Sequence, residues 1–224
     1  PYISWQTQPP KGHTQKCPYG QFLIWVRPCR LLPDLAGSRQ LPPVQPGCWE
    51  SCLSDIEGPA NGWLAVDSSL DGSRYVGVRA AVDDVGVVHV SVNFVVQSLA
   101  ECQAQMVKAC TDHPTLGLAV TPALEHHVPT ALARRTKVVG YGELMRYTSL
   151  VRAQINEGKL VHQGEANLAE HMNRAVAIYQ QNNLALSSKR SPGPIELARC
   201  TIWSAALASR PKVAGKPMMV IVNG

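Results

Sequence analysis

No uninterrupted apolar run among these 224 residues approaches the roughly 20 that a membrane-crossing helix needs, which excludes such a span. Also missing are an initiator Met and, in the opening "PYISWQTQPPKGHTQKC", the basic-then-apolar order of a secretory signal, so the chain reads as a fragment or a processed product. Charged residues make up only 17% against 45% hydrophobic ones, a balance that fits a soluble globular protein. Short spacings between cysteines are nearly absent. Only Cys48 and Cys52 lie close, whereas a paired zinc knuckle shows short spacings on both sides, which argues against zinc on Cys17, Cys29, Cys48 and Cys52 with His13 as a spare ligand. Seven cysteines are an odd number, and Cys102, Cys110 and Cys200 sit in helix-like or apolar contexts. A reducing cytoplasm is the simpler reading.

The length supports one main domain with a loosely built appendage. Residues 1–60 are rich in Pro and Gly, as in "RLLPDLAGSRQLPPVQPG", with only "QFLIWV" looking like a strand, and are read as a poorly structured arm or linker. From Trp63 three β-rich runs follow, "GWLAVD", "RYVGVRAAV" and "GVVHVSVNFVV", with "DDVG" as the turn between the second and third, an antiparallel meander. Ser98 and Glu101 form a capping-box pattern at the start of the helical "SLAECQAQMVKAC". The runs "TLGLAV" and "TKVVG" then alternate with helical segments. In "EANLAEHMNRAVAIY" the helical spacing joins Leu168, Met172, Ala175, Val176 and Tyr179 on one face. The last helix, in "SPGPIELARCTIWSAALASR", is apolar nearly all round, as for a helix buried on a sheet. The expected architecture is a mixed α/β sheet with helices on its faces over residues 61–212, followed by a tail at 213–224.

Three acids stand out. Asp67 ends the first strand, where an acid in a core must be paired, hydrogen-bonded or bound to metal; its alternative reading is a turn-former, with Ser68, Ser69 and Asp71. Glu125 follows the fourth strand in "LAVTPALEHH", in a loop of the kind that gathers ligands outside the carboxyl ends of strands, or is a solvated loop acid. Glu196 opens the last helix, where an anion complements the macrodipole, but its i+4 and i+7 neighbours Cys200 and Trp203 are apolar, so it points toward the protein. Together these acids make an oxygen set for hard divalent cations, and two such ions would bracket a phosphodiester.

The stretches "LAVDSSLDGSRYVGV", "VVGYGELMRYTSLVRAQINEGKLVH", "GEANLAEHMNRAV" and "SSKRSPGPIELARCTIWSAALAS" occur in an order that resembles the ribonuclease H-like nuclease domain of the large terminase subunit of tailed bacteriophages, over about residues 60–210. That resemblance implies a ribonuclease H-like mixed sheet and a metal-dependent endonuclease that cuts concatemeric double-stranded DNA with two Mg²⁺ or Mn²⁺ ions. It implies Asp67, Glu125 and Glu196 as catalytic and metal-binding acids. Many relatives have an Asp at the end of the fourth strand, where this chain has Thr121, and the role is carried to Glu125. The implied partners are double-stranded DNA, the terminase ATPase domain, the small terminase subunit and the portal, in the cytoplasm of an infected bacterial host. No G-x-x-x-x-G-K-[ST] occurs, so ATP-driven translocation is not expected of this chain. His162 is read as a turn histidine bonded to backbone.

The net charge of +5 and pI near 8.9 suit a polyanionic partner without deciding for one. Arg134, Arg135, Lys189 and Arg190 flank the proposed acids and are expected to neutralise phosphates without reading bases. His126 and His127 adjoin Glu125, and on an extended loop at most one of them faces a site. Alternatives are another ribonuclease H-like nuclease, such as a resolvase or transposase, and a degenerate domain that only grips DNA, a reading motivated by Thr121.

Overall fold

The computed structural model describes residues 40–41 and 47–210; the "QFLIWV" strand, Cys17, Cys29, His13 and the 213–224 tail lie outside the described residues. After a two-residue strand β1 (Gln40–Leu41), the chain runs through β2 (Trp63–Ser68), β3 (Tyr75–Val82), β4 (Val88–Val96), α1 (Leu99–Asp112) and β5 (Gly117–Val120). It continues through β6 (Thr136–Val138), α2 (Tyr141–Asn156), β7 (Leu160–His162), α3 (Ala166–Arg174), β8 (Ala177–Gln180), β9 (Asn183–Leu186) and α4 (Glu196–Ala208). The main sheet has the order β6-β5-β2-β3-β4-β7. β2, β3 and β4 form the expected antiparallel meander, while β5 pairs parallel with β2 on one side and β7 parallel with β4 on the other.

Strand alternation sorts side chains to two cores. Leu64 and Val66 join Cys102, Met106 and Ala109 of α1, whereas Ala65 and Ala119 join Ala198, Ile202 and Trp203 of α4 on the other face. Each fully buried Leu, Val or Ile in these clusters contributes roughly 1.5–3 kcal/mol. By the same alternation Asp67 and Thr121 belong to the α4 face. In α4 every residue from Glu196 to Leu207 is buried except Arg199, and its hydroxyls turn inward on the helix itself: Thr201 Oγ1 donates to Leu197 O (2.9 Å) and Ser204 Oγ to Cys200 O (2.8 Å). The α1 capping box forms as the sequence pattern predicts, with Ser98 Oγ accepting from Glu101 N and the Glu101 side chain accepting from Ser98 N.

Two expectations change. The helix read through "AVAIY" stops at Arg174, and Ala177–Gln180 instead pairs antiparallel with Asn183–Leu186. The turn residues Gln181 and Asn182 have φ of 50° and 61°, the doubly left-handed geometry whose twist suits a two-residue hairpin, here made without glycine. The end of the stretch read as an arm is also built into the domain. Trp49 and Cys52 are buried in the α4-side core, and the Trp49 ring stacks on His162 with centroids 4.1 Å apart. Both nitrogens of His162 bond to backbone, Nε2 with Trp49 O at 2.9 Å and Nδ1 accepting from Gly164 N at 3.0 Å. Burial holds this imidazole below its usual pKa range, so it is a neutral structural bridge, as its turn reading expects.

Candidate active site at the carboxyl edge of the sheet

β2 and β5 run parallel with Val66 opposite Val120, so Asp67 and Thr121 follow side by side at the carboxyl edge of the sheet. The backbone keeps them in step, since Thr121 N donates to Val66 O at 3.3 Å. Asp67 is buried; its Oδ1 accepts from Ser68 N at 2.8 Å. Its Oδ2 lies 2.6 Å from Arg199 Nη2 as an ion pair, yet has no aligned hydrogen-bond donor. The Thr121 hydroxyl is buried beside it, with no well-aligned bond but near enough to the Asp67 carboxyl to oppose the rise of its pKa. Burial pushes the Asp67 carboxyl up from 3.8 to about 6, against the opposing pull of the Arg199 guanidinium and the Ser68 amide, with the Glu196 charge adding to the rise.

Glu196 comes to the same neighbourhood from α4. Its Oε2 accepts from Arg74 Nη2 at 3.0 Å and lies 3.8 Å from His171 Nδ1. That nitrogen accepts from Leu197 N, so it carries no proton for an ion pair with Glu196. Burial holds His171 below the usual imidazole range, against the attraction of Glu196 and with Arg74 and Arg199 adding to the fall. Cys200 is fully buried and its thiol is pushed well up, which makes it an inert part of the core.

Two adjoining clefts open here. The larger, about 690 Å³, is bounded by Asp67, Thr121, Lys189 and, on its apolar side, Leu144, Ile178 and Trp203. The smaller, about 510 Å³, holds Arg74 and Glu196. Arg199 lines both, together with Ser69, Leu70 and Ser188. The β2–β3 turn between them is rigid by its own bonds: Asp71 Oδ1 accepts from Ser69 Oγ (2.6 Å) and Ser73 Oγ (2.8 Å). These bonds also hold the exposed Asp71 carboxyl down to about 2. The hairpin β8–β9 supplies Ile178, Gln180 and Leu186 to the larger cleft, so the element hidden from sequence reasoning is one wall of the site.

The structure thus brings Asp67 and Glu196 together and leaves Glu125 out. Glu125 lies on the 3-10 turn Pro122–His127, exposed, and lines neither cleft; that turn buries Leu124 and therefore aims the next residue at solvent. His126 and His127 are exposed beside it. No group of three or more His, Cys, Asp or Glu side chains able to hold a metal ion occurs among the described residues. Of the basic residues, Lys189 lines the larger cleft and Arg190 is exposed next to it. Arg134 is exposed and Arg135 donates to Cys110 O at the end of α1, both away from the clefts. Sequence reasoning missed Arg74 and Arg199. The signal for Arg199 was available: it is the single charge beyond the first residue of an otherwise apolar helix, one turn from Glu196.

Whether a divalent cation fits is decided by the oxygens present. The hard oxygens at this edge are the Asp67 carboxylate, ion-paired with Arg199, the Thr121 hydroxyl beside it, and the Glu196 carboxylate, ion-paired with Arg74. The further carboxylate in these clefts is Asp71, whose Oδ1 is taken up by Ser69 and Ser73 within the β2–β3 turn.

No protein-family model and no curated protein matches the chain. Among solved structures it is similar to the large terminase of bacteriophage HK97, with a TM-score of 0.61 and 14% identity over 75% of this chain and 43% of that one. It also matches the large terminase of a thermophilic bacteriophage (TM-score 0.49, 10% identity, 68% of this chain and 41% of that one). A third match is the large terminase nuclease domain of bacteriophage SPP1 with bound Mn (TM-score 0.45, 10% identity, 63% and 82%). The chain spans less than half the length of the HK97 protein. At 14% identity the likeness is one of fold: this chain shares with part of the HK97 large terminase a mixed sheet flanked by helices.

Proposed function

We propose that this chain is the nuclease domain of a phage packaging terminase, a metal-dependent endonuclease that hydrolyses phosphodiester bonds of double-stranded DNA. The observation that carries the reading is Asp67: a buried acid at the carboxyl edge of the sheet, with an oxygen that no hydrogen bond satisfies, beside Glu196 from α4. A buried carboxylate needs a positive partner, which Arg199 supplies in this structure and a divalent ion would supply in its place. Asp67 and Glu196 would hold a Mg²⁺ or Mn²⁺ ion, with the Thr121 hydroxyl next to Asp67. A second ion, as the sequence resemblance implied, would draw on Asp71 at the edge of the smaller cleft. When bound, such an ion polarises a phosphoryl oxygen and lowers the pKa of a water. Lys189 lies along the larger cleft where it would meet the DNA backbone, and Leu144, Ile178 and Trp203 keep that side of the cleft dry. On this reading the partners are the ATP-driven half of the motor, the small terminase subunit and the portal, and the place of action is the infected host's cytoplasm.

Plasmid nicking in Mn²⁺ tests the reading. Wild type is expected to nick and linearise the plasmid, and Asp67→Asn and Glu196→Gln to lose at least about a hundredfold in rate. Uncut plasmid with wild type, or equal cutting by the variants, overturns it. A second reading is favoured by one observation: both acids are already neutralised, by Arg199 and Arg74. In that reading the domain grips DNA without cutting, and salt-sensitive binding with no cleavage in Mg²⁺ or Mn²⁺ would select it.

A further inference from the structure

The two guanidinium groups on the acids belong to neither the metal-ligand set nor the basic residues first expected to meet DNA. Arg199 Nη2 is 2.6 Å from Asp67 Oδ2, and its Nη1 donates to Ser188 Oγ at 3.1 Å. Arg74 Nη2 is 3.0 Å from Glu196 Oε2. The Nε of each arginine is buried without a partner, so each guanidinium has unspent donor capacity at the cleft. An ion held by Asp67 Oδ2 would share that oxygen with the Arg199 nitrogen 2.6 Å away. Two cations on one buried oxygen repel, so the guanidinium and the ion compete for it. A planar, forked guanidinium leaves a carboxylate most readily for a phosphate, which it grips through two parallel hydrogen bonds.

We propose that Arg199 and Arg74 form a phosphodiester-binding pair. Without DNA they are held by Asp67 and Glu196; when a backbone phosphate enters the cleft they transfer to it and release the two carboxylates for the cation. The acids and the arginines thus form a set of internal ion pairs that DNA and metal together replace, and DNA and cation bind with positive coupling that is the same measured from either side. This rests on the cation site proposed above and adds its order of assembly: the metal site is complete only when DNA is present.

The test counts Mn²⁺ bound to the full chain by electron paramagnetic resonance, with and without a short duplex. A duplex is expected to raise the Mn²⁺ affinity of wild type about tenfold, and a matched duplex with neutral methylphosphonate linkages to leave it unchanged. Arg199→Gln is expected to bind Mn²⁺ about tenfold more tightly than wild type without DNA, and to gain little when DNA is added. Arg74→Gln, at a partly exposed position, carries the same test if Arg199→Gln does not fold. The slope of log affinity for DNA against log salt is expected to fall by about one for each arginine removed. Mn²⁺ affinity unchanged both by the substitutions and by DNA overturns the proposal. Absence of Mn²⁺ binding by wild type under all conditions overturns the cation site and the coupling with it, and the salt slopes then still decide whether the two arginines meet phosphate.

Discussion

Thr121→Asp puts an acid at the end of β5 directly beside Asp67, and its consequences follow from the parallel register of Val66 with Val120. Thr121 is 8% exposed, so a carboxylate there enters a buried position next to an acid already pushed up to about 6. Arg199 is engaged by Asp67 and leaves the new charge uncompensated. A buried unpaired charge costs about 3 kcal/mol, which in a domain of this size is about 10 °C in Tm. Mn²⁺ at a hundred times its Kd returns about 2.7 kcal/mol if the new carboxylate joins the ligands, nearly the whole loss. Thermal melts followed by circular dichroism in EDTA and in Mn²⁺ should therefore show Thr121→Asp well below wild type without metal and, with metal, close to the metal-free wild-type Tm, a larger rise than Mn²⁺ gives wild type. Thr121→Asn, similar in size and uncharged, should show neither the full loss nor the recovery. Equal melting of Thr121→Asp and wild type in EDTA, or equal protection of both by Mn²⁺, would refute the claim that the two strand ends share one cation site.

Glu125→Ala should leave Mn²⁺ affinity and nicking rate at wild-type values, since this acid faces solvent outside both clefts; a clear loss of either would return it to the site. Because the cation needs Asp67 ionised, Mn²⁺ affinity should fall about tenfold per pH unit below about 6, and titration calorimetry across that range would expose a flat profile as contrary evidence. The same raised pKa acts on stability with a definite sign: without metal, the contribution of this group is greatest below its ordinary 3.8 and is lost as pH rises through about 6. Metal-free melts of Asp67→Asn should lack that step. Ser98→Ala removes the hydroxyl that accepts from Glu101 N and should cost about 1 kcal/mol, roughly 3 °C in Tm, with nicking unchanged.

Much of the scaffold is legible along the chain because the forces that set it are local. Strict alternation in "LAVD" sends Leu64 and Val66 to one face and Ala65 and Asp67 to the other, and the near-continuous apolar character of "IELARCTIWSAAL" requires a helix covered on most sides. Those two patterns bring Asp67 and Glu196 to one end of the sheet. The β8–β9 hairpin escaped because its sequence continues a helical spacing and turns on Gln181 and Asn182 without glycine or proline, so only pairing with a neighbouring strand distinguishes it from helix.

Glu125 shows the same limit from the other side. Its position after a strand is right for a ligand, but the 3-10 turn that buries Leu124 rotates it outward, and rotation within a turn depends on what the turn packs against. Periodicity and turn chemistry therefore determined which strands and helices exist and which face of each is buried. Three-dimensional packing alone decided that Arg199 and Arg74 reach the two acids, that Thr121 stands next to Asp67, and that a hairpin walls the cleft. Contacts between residues far apart in sequence depend on how whole elements dock, and no local pattern encodes the distance between them.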